Sequence, residues 1–298
     1  MTTVTKASHR LGSRVDYLPR LQGLSADWAE VRVAADGERL VDVVRLTRVT
    51  VRRRSGVMDA SRVEDLSLDE AAALTPDSLL EVRRPVSYKG MRNYIGRMAL
   101  PSQVHEAHAG WFESRNEQEH YRELLMRHAV VQMATQPLRL AWAFPSGVRT
   151  HVPDAFHLTV DGRATLVDVT RRKRLETPEA VAIFLLAQAT ARAMGWRYEL
   201  HDELSPQHQR NVSLVYSHRH ATPSTHTWRA AVKGMPATQQ VLQAAQTLGA
   251  GTSPNYAAVW HLVATRHLFI DLARALTPDA VVRRRPLSTR SNPCLISL

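Results

Sequence analysis

The sequence predicts an α/β chain, a mixed sheet flanked by helices, followed by a mainly helical, winged-helix-like C-terminal region. Three observations carry that expectation. A helical stretch from Ser114 to about Met133 precedes three strand-like segments, and a strongly apolar helix over Pro178–Met194 precedes a further strand over Trp196–Leu200. Helices alternating with strands in this way cover the faces of one sheet. After Asp202 the pattern changes to helices, with a Gly249-Ala250-Gly251 turn between two of them.

Taken in order, residues 1 to 25 are basic and irregular and read as a loose arm. Short strands follow at Glu30–Val33, Val41–Arg45 and Val49–Val51, the first two separated by Asp36-Gly37, a hairpin dipeptide. Leu68–Leu74 reads as one short helix ended by Pro76. Arg83–Leu100 is more loop than element. Its interleaved basic and aromatic residues suit a nucleic-acid backbone, with the rings stacking on bases, and equally suit an ordered connection. Ser114-Arg115-Asn116-Glu117 fits a capping box, after which Tyr121, Leu124, Leu125 and His128 recur at helical spacing. Leu138–Phe144 is a strand, and Phe156–Val160 with Arg163–Val169 forms a hairpin through Asp161-Gly162. Gly195 closes the long apolar helix as its C-cap.

In the C-terminal region Met235-Pro236 opens a helix to about Leu248. Pro254 suits the first position of the next, Asn255–Arg266, and His267–Leu272 is strand-like. That order is compatible with a winged helix-turn-helix and equally with a small helical interaction module. The expected domains are an N-terminal arm with a small β-rich region over 1–84, a central domain over 85–202, a helical domain over 203–285 and a tail over 286–298.

The formal charge is +11 and the pI near 10.4, which points to a polyanionic partner. Only four of the 39 basic residues are lysine, so part of the excess reflects a GC-rich arginine bias rather than nucleic acid. The single cysteine, Cys294, excludes disulfide frameworks and cysteine-rich zinc sites. His105 with His108, and His218 with His220, lack a full zinc ligand set. No run of 18 apolar residues and no signal-like N-terminus is present, so a bacterial cytoplasmic protein with no membrane partner is expected.

Hydrolysis of a phosphodiester with Mg²⁺ or Mn²⁺ needs clustered oxygen ligands, and a basic group beside them to neutralise the phosphate. Three acids are candidates: Glu117, Asp154 and Asp168. Glu117 precedes Tyr121 by four residues and Leu124 by seven, so it shares their apolar face, although a capping box explains a glutamate there as well. Asp154 follows Pro153, a pair that is also common in turns. Asp168 stands between Val167 and Val169, where the alternative is the solvent side of a half-buried strand. Register is the test. A two-residue Asp161-Gly162 loop would set Asp154 opposite Val169, facing away from Asp168. A three-residue loop with Gly162 left-handed and a G1 bulge sets both acids on one face, and that connection is expected.

At these residues the chain resembles the TnsA-like endonuclease subunits of heteromeric transposases, especially actinobacterial ones. The matching text is Tyr88–Asn93, Phe112–Glu117, Gln136-Pro137, Val152–Asp154 and Leu166–Val169, then Met194–Tyr198, Ala258–Leu262 and Phe269–Leu272, over roughly residues 85 to 285. The resemblance implies a restriction-endonuclease-like fold and Mg²⁺-dependent cleavage of DNA at transposon ends. It also implies an integrase-type transposase as partner, together with an ATPase regulator. Carried over by motif, Glu117, Asp154 and Asp168 are the metal-binding acids, with Lys89, Arg92, Arg171 and Lys173 placed to contact DNA. The family's basic residue falls at Thr170, whose hydroxyl cannot neutralise phosphate. On a continuing strand Arg172 shares the face of Asp168 and Thr170 and is the expected substitute, binding the scissile phosphate; Lys173 becomes available only if the strand ends early. Two rivals stay open: a subunit that keeps fold and partner but positions DNA without cutting it, and a DNA-binding regulator that uses the C-terminal helices.

Overall fold

The computed structural model describes residues 47–54, 61–85, 94–105, 108–127, 130–144, 147–220, 225–249 and 253–284. Chain contacts divide it into two units, Met1–Leu204 and Ser205–Leu298. Lys89 and Arg92, like the expected strands before residue 47, lie outside the described residues.

The first unit is built on a four-stranded sheet of order β11-β10-β9-β6, from β6 (Val130–Thr135), β9 (Ala155–Thr159), β10 (Ala164–Val169) and β11 (Arg197–His201). β10 runs parallel to β11 and antiparallel to β9. The strand alternation sends successive side chains to two different cores. Ala155 and Val167 face α2 (Arg115–Arg127), where they pack with Phe112, Tyr121, Leu124 and Met133. Phe156 and Leu166 face α3 (Pro178–Ala193), whose Val181, Leu185 and Leu186 join the largest core of the unit. Phe156 stacks on Trp196 with ring centres 4.2 Å apart. Helix, sheet and helix therefore form three layers.

A second sheet of order β2-β1-β7-β8 completes that larger core, from β1 (Arg48–Arg54), β2 (Ser61–Leu66), β7 (Leu138–Phe144) and β8 (Gly147–His151), with β3 (Leu79–Leu80) also paired to β1. β7 alternates buried Leu138, Leu140 and Trp142 with more exposed Arg139, Ala141 and Ala143, which seats one face against α3. The Trp142 indole N–H donates to Thr190 Oγ on α3 at 3.0 Å, satisfying both buried groups. The expected boundary at residue 84 is not one: β1 is hydrogen-bonded to β7, so residues 48–54 are part of the central unit. The short helix α1 (Leu68–Ala72) is capped by Ser67 and Glu70 in a full capping box. A two-stranded ribbon of β4 (Gly96–Ala99) and β5 (Ala109–Phe112) occupies part of the segment read as loop.

Three further corrections concern this unit. α2 ends at Arg127, and the residues expected to continue it to Met133 form β6. β8 was not legible as a strand at all. β10 ends at Val169 instead of running on to Arg172: the Thr170 N–H donates to the His201 carbonyl at 2.8 Å, and Arg172–Glu176 then winds into a 3₁₀ helix.

The second unit begins with α4 (Pro206–Ser217), N-capped by Ser205. The elements that follow are α5 (Thr225–Gly234), β12 (Thr238–Gln240), α6 (Val241–Leu248), α7 (Tyr256–Ala264), β13 (Leu268–Phe269) and β14 (Val281–Arg284). The strands form one antiparallel sheet of order β12-β14-β13. The helix expected from Met235 starts only at Val241, because Thr238–Gln240 pairs with β14. α7 is capped by Asn255, whose Oδ1 accepts from the Ala258 N–H at 3.0 Å, so Pro254 lies outside the helix. Among the described residues no helix is long and apolar enough to cross a membrane.

Candidate metal and phosphate site

The β9–β10 connection is the three-residue one. Thr159 and Arg163 close it, with the Thr159 N–H donating to Arg163 O at 3.1 Å and the Gly162 N–H to Thr159 O at 2.8 Å. Gly162 has φ +77°, the left-handed position that a G1 bulge requires. Ala164 pairs with Leu158, and Val167 with Ala155. Extending that register by one residue sets Asp154 opposite Asp168 on the face of Phe156 and Leu166. The expected connection is observed, and its register continued past the paired residues places the two acids on one face.

Asp154 sits where three segments meet. Its carboxylate accepts the Val169 N–H at 2.7 Å, while its carbonyl accepts the Tyr121 hydroxyl and the Gln136 N–H, each at 2.9 Å. Burial, then the carboxylates of Glu117 and Asp168, push its pKa well above the usual carboxylate range, against the smaller opposing effect of the Val169 N–H. Glu117 from a helix and Asp168 from the neighbouring strand thus both act on Asp154.

Glu117 is both a cap and a buried acid, 8 % exposed. The Ser114 hydroxyl donates to Oε1 at 2.8 Å, the Glu113 N–H donates to Oε2 at 2.8 Å, and the Glu117 N–H donates back to Ser114 Oγ at 3.1 Å. Burial raises its pKa in spite of these donors. Asp168 is 1 % exposed and held hard: His151 Nε2 donates to its oxygens at 2.9 and 3.0 Å, and the Tyr198 hydroxyl donates at 2.7 Å.

The expected basic residue goes elsewhere. With the strand ended at Val169, Arg172 turns to Asp202, its Nε at 2.9 Å and its Nη2 at 2.7 Å from Oδ2. The alignment of Arg172 with Asp168 along a continuing strand is thereby corrected. Arg171 and Lys173 are exposed on the following turn. Thr170 is buried and bonded through its backbone, its carbonyl accepting Asn116 Nδ2 at 3.2 Å.

Sequence reasoning missed a second tier around the acids. Glu113 receives Arg83 Nη2 and Gln136 Nε2 on one oxygen, both at 2.8 Å. Gln136 adopts φ +46°, uncommon for a residue with a side chain, and in doing so links the Val82 N–H to the site through its carbonyl at 3.0 Å. The Gln136-Pro137 pair was visible as a motif; that its left-handed turn joins residue 82 to Asp154 needed the strand pairing. Arg83 is the cation acting on Glu117, which it pulls down.

The chemistry of the donors fits a hard cation. Alongside the carboxylates, three neutral oxygens are buried with no hydrogen-bond partner among the described residues: Asn116 Oδ1, Gln136 Oε1 and Thr170 Oγ1. Unpartnered buried oxygens are costly, and oxygen-only sets suit Mg²⁺ over softer metals. Among the described residues, however, no three His, Cys, Asp or Glu side chains stand close enough together to hold a metal as they are arranged here. Side-chain rotation at Asp154, Glu117 or Asp168 is therefore part of any binding event. No family model matches the chain, and no curated protein matches it.

Proposed function

We propose that this chain is a TnsA-like endonuclease subunit of a heteromeric transposase, cleaving DNA phosphodiesters at transposon ends with Mg²⁺ or Mn²⁺ and working beside an integrase-type transposase and an ATPase regulator. The observation that carries the reading is the G1-bulged β9–β10 hairpin, whose register sets Asp154 and Asp168 on one face, with Glu117 and Asp168 both acting on Asp154. A sheet between two helical layers with acids at one end of its central strands is the arrangement expected of a restriction-endonuclease-like fold. After α4, the order α5-β12-α6-α7-β13-β14 in the second unit is the arrangement expected of a winged helix.

Glu117, Asp154 and Asp168 would hold the cation, with Asn116, Gln136 and Thr170 supplying neutral oxygens. The bound cation would neutralise charge developing on the attacking and leaving oxygens of the phosphate. Val169 N–H holds the Asp154 carboxylate, and Ser114 and the Glu113 N–H hold Glu117, so these bonds set the resting positions from which the ligands would rotate onto a cation. Arg83, which pairs with Glu113 and acts on Glu117, would take the phosphate charge in place of the basic residue that Thr170 lacks.

A second reading has its own observation. Asp168 is already satisfied by His151 and Tyr198, and Arg172 by Asp202, the pattern of a nuclease fold whose site has become structural. Nicking of a duplex carrying a transposon end decides between them, with the cognate transposase subunit present and Mg²⁺ or Mn²⁺ added. Cleavage by the wild type and none by Asp154→Asn supports the enzyme. DNA retained in the complex without cleavage by the wild type rejects the enzyme in favour of the positioning subunit.

A further inference from the structure

Basic charge is divided unevenly between the two units. Ser205–Leu298 contains ten Lys or Arg and only two acids, Asp271 and Asp279, a formal +8 of the chain's +11. In the first unit arginines lie against carboxylates: Arg53 on Glu64, Arg83 on Glu113, Arg122 on Glu119, Arg172 on Asp202. In the second, Arg274 pairs with Asp271 on the β13–β14 connection.

In a helix-turn-helix the second helix enters the major groove. The helix in that position here is α7, and it cannot do so. Its sequence, YAAVWHLVA, carries no Lys or Arg, and every residue from Ala258 to Ala264 is buried. The packing that buries it includes α4: His261 Nδ1 donates to the His218 carbonyl, the C-cap of α4, at 2.8 Å. Nor does the β13–β14 connection offer a basic surface, since it holds both aspartates of the unit and its Arg274 is paired.

Three basic groups meet at α5 and β14. Arg229 and Lys233 are both exposed and lie one turn apart on α5. Arg284 on β14 reaches the end of the same helix, its Nη1 donating to the Lys233 carbonyl at 3.1 Å. β12, which links α5 to α6 and pairs with β14, is uncharged, and no acid occurs anywhere in α5, β12 or β14. None of these three cations makes an ion pair among the described residues.

We propose that this α5–β14 face is a binding surface for the phosphate backbone of duplex DNA, and that α7 serves as the core of its unit and not as a reader of bases. The inference rests on DNA as the chain's substrate but not on cleavage. A face made of Lys and Arg with no base-edge reader binds by counterion release, so its affinity is steeply salt-dependent and indifferent to sequence.

The test is fluorescence anisotropy of the full chain on a labelled duplex in EDTA, which removes cleavage from the measurement, across a salt series. Arg229→Ala/Lys233→Ala/Arg284→Ala is compared with wild type and with Arg210→Ala/Arg219→Ala on α4, and folding is checked by thermal melting. The expected result is at least about a tenfold weaker Kd for the triple variant and a log–log salt slope shallower by about 2–3, with equal losses on end-containing and scrambled duplexes. Arg229→Lys/Arg284→Lys should restore most of the affinity, which a merely structural loss would not allow. Unchanged affinity and slope in the triple variant overturn the proposal, as does a loss confined to the end sequence. Wild type that binds duplex through this face yet never nicks it refutes the nuclease reading alone; wild type that binds no duplex refutes both.

Discussion

Replacing Asp154 by asparagine should make the protein more stable at neutral pH while ending metal-dependent cleavage. The carboxylate is raised well above 3.8 by burial and by Glu117 and Asp168, and one backbone N–H, from Val169, works the other way. A carboxyl whose pKa is higher folded than unfolded binds more protons in the native state between the two values. Stability therefore falls as pH rises from about 4 through the folded pKa, and at neutral pH each unit of elevation costs about 1.4 kcal/mol. Asparagine keeps an oxygen for the Val169 N–H and removes the charge. The expected gain is about 1–2 kcal/mol, or about 2–8 °C in Tm for a unit of this size. Urea or thermal unfolding in EDTA at pH 7.5 and at pH 4.5 measures it, and the difference between the proteins should shrink at the lower pH. Mn²⁺ should reverse the order: at a hundredfold excess over Kd a ligand adds about 2.7 kcal/mol to a protein that binds it, here the wild type only. A less stable variant at pH 7.5, or a gap that ignores pH, refutes the electrostatic account of the site.

Further expectations follow from individual contacts. Gly162→Ala meets open space but keeps φ +77°, so it should cost about 1–2 kcal/mol in unfolding experiments and weaken Mn²⁺ binding by loosening the Asp154–Asp168 register. Arg172→Ala strips a partner from the buried Asp202; because Arg172 is itself 55 % exposed, the loss in urea titration should be about 1–2 kcal/mol rather than the larger cost of breaking a fully buried pair. If Arg172 only anchors the turn, cleavage per folded molecule stays at the wild-type rate. Arg83→Ala should lower cleavage by about 100-fold while leaving Mn²⁺ affinity within about threefold, and Arg83→Lys should recover part of it; equal nicking by Arg83→Ala removes Arg83 from the site.

The acids and their register were readable because local rules settle them. A glycine that must be left-handed follows an aspartate between two alternating segments, and the bulge it allows decides which way two strands face. Glu117 was readable for a similar reason, since capping and helical spacing act within one turn. Arg172 was misjudged because strand continuation is not local: the Thr170 N–H found the end of β11, about thirty residues on in sequence, and the chain turned. The partners of Asp168 come from 17 residues before and 30 after, on β8 and β11, and no pattern near Asp168 announces them. Likewise Arg83 is brought to Glu113 beside a left-handed glutamine on the β6–β7 connection, which takes the Val82 N–H. In the second unit the sequence of α7 showed its apolar character, but the pairing of Thr238–Gln240 with β14 depends on a partner some forty residues away.

Thr170 is best understood from the charge around it. A lysine at that position would bring a positive group near Asp154 and oppose the rise in its pKa by direct attraction. With threonine there, Asp154 is left raised by burial first and then by the charges of Glu117 and Asp168, and Glu117 is raised by its own burial. On the proposed reading, a site without a resident lysine would favour a divalent cation more strongly, because the incoming charge would relieve repulsion instead of competing with an ammonium. On that reading the threonine also leaves out the group that would meet the phosphate. Arg83 can restore that function without weakening the first effect: it is 49 % exposed, rests on Glu113, and touches Glu117 only through the field. A guanidinium that leaves one carboxylate for a phosphate exchanges one charge-assisted bidentate partner for another, at little net cost. On this argument the chain separates two duties that a single lysine would combine. Metal affinity in Arg83→Ala should then stay at the wild-type level when cleavage does not.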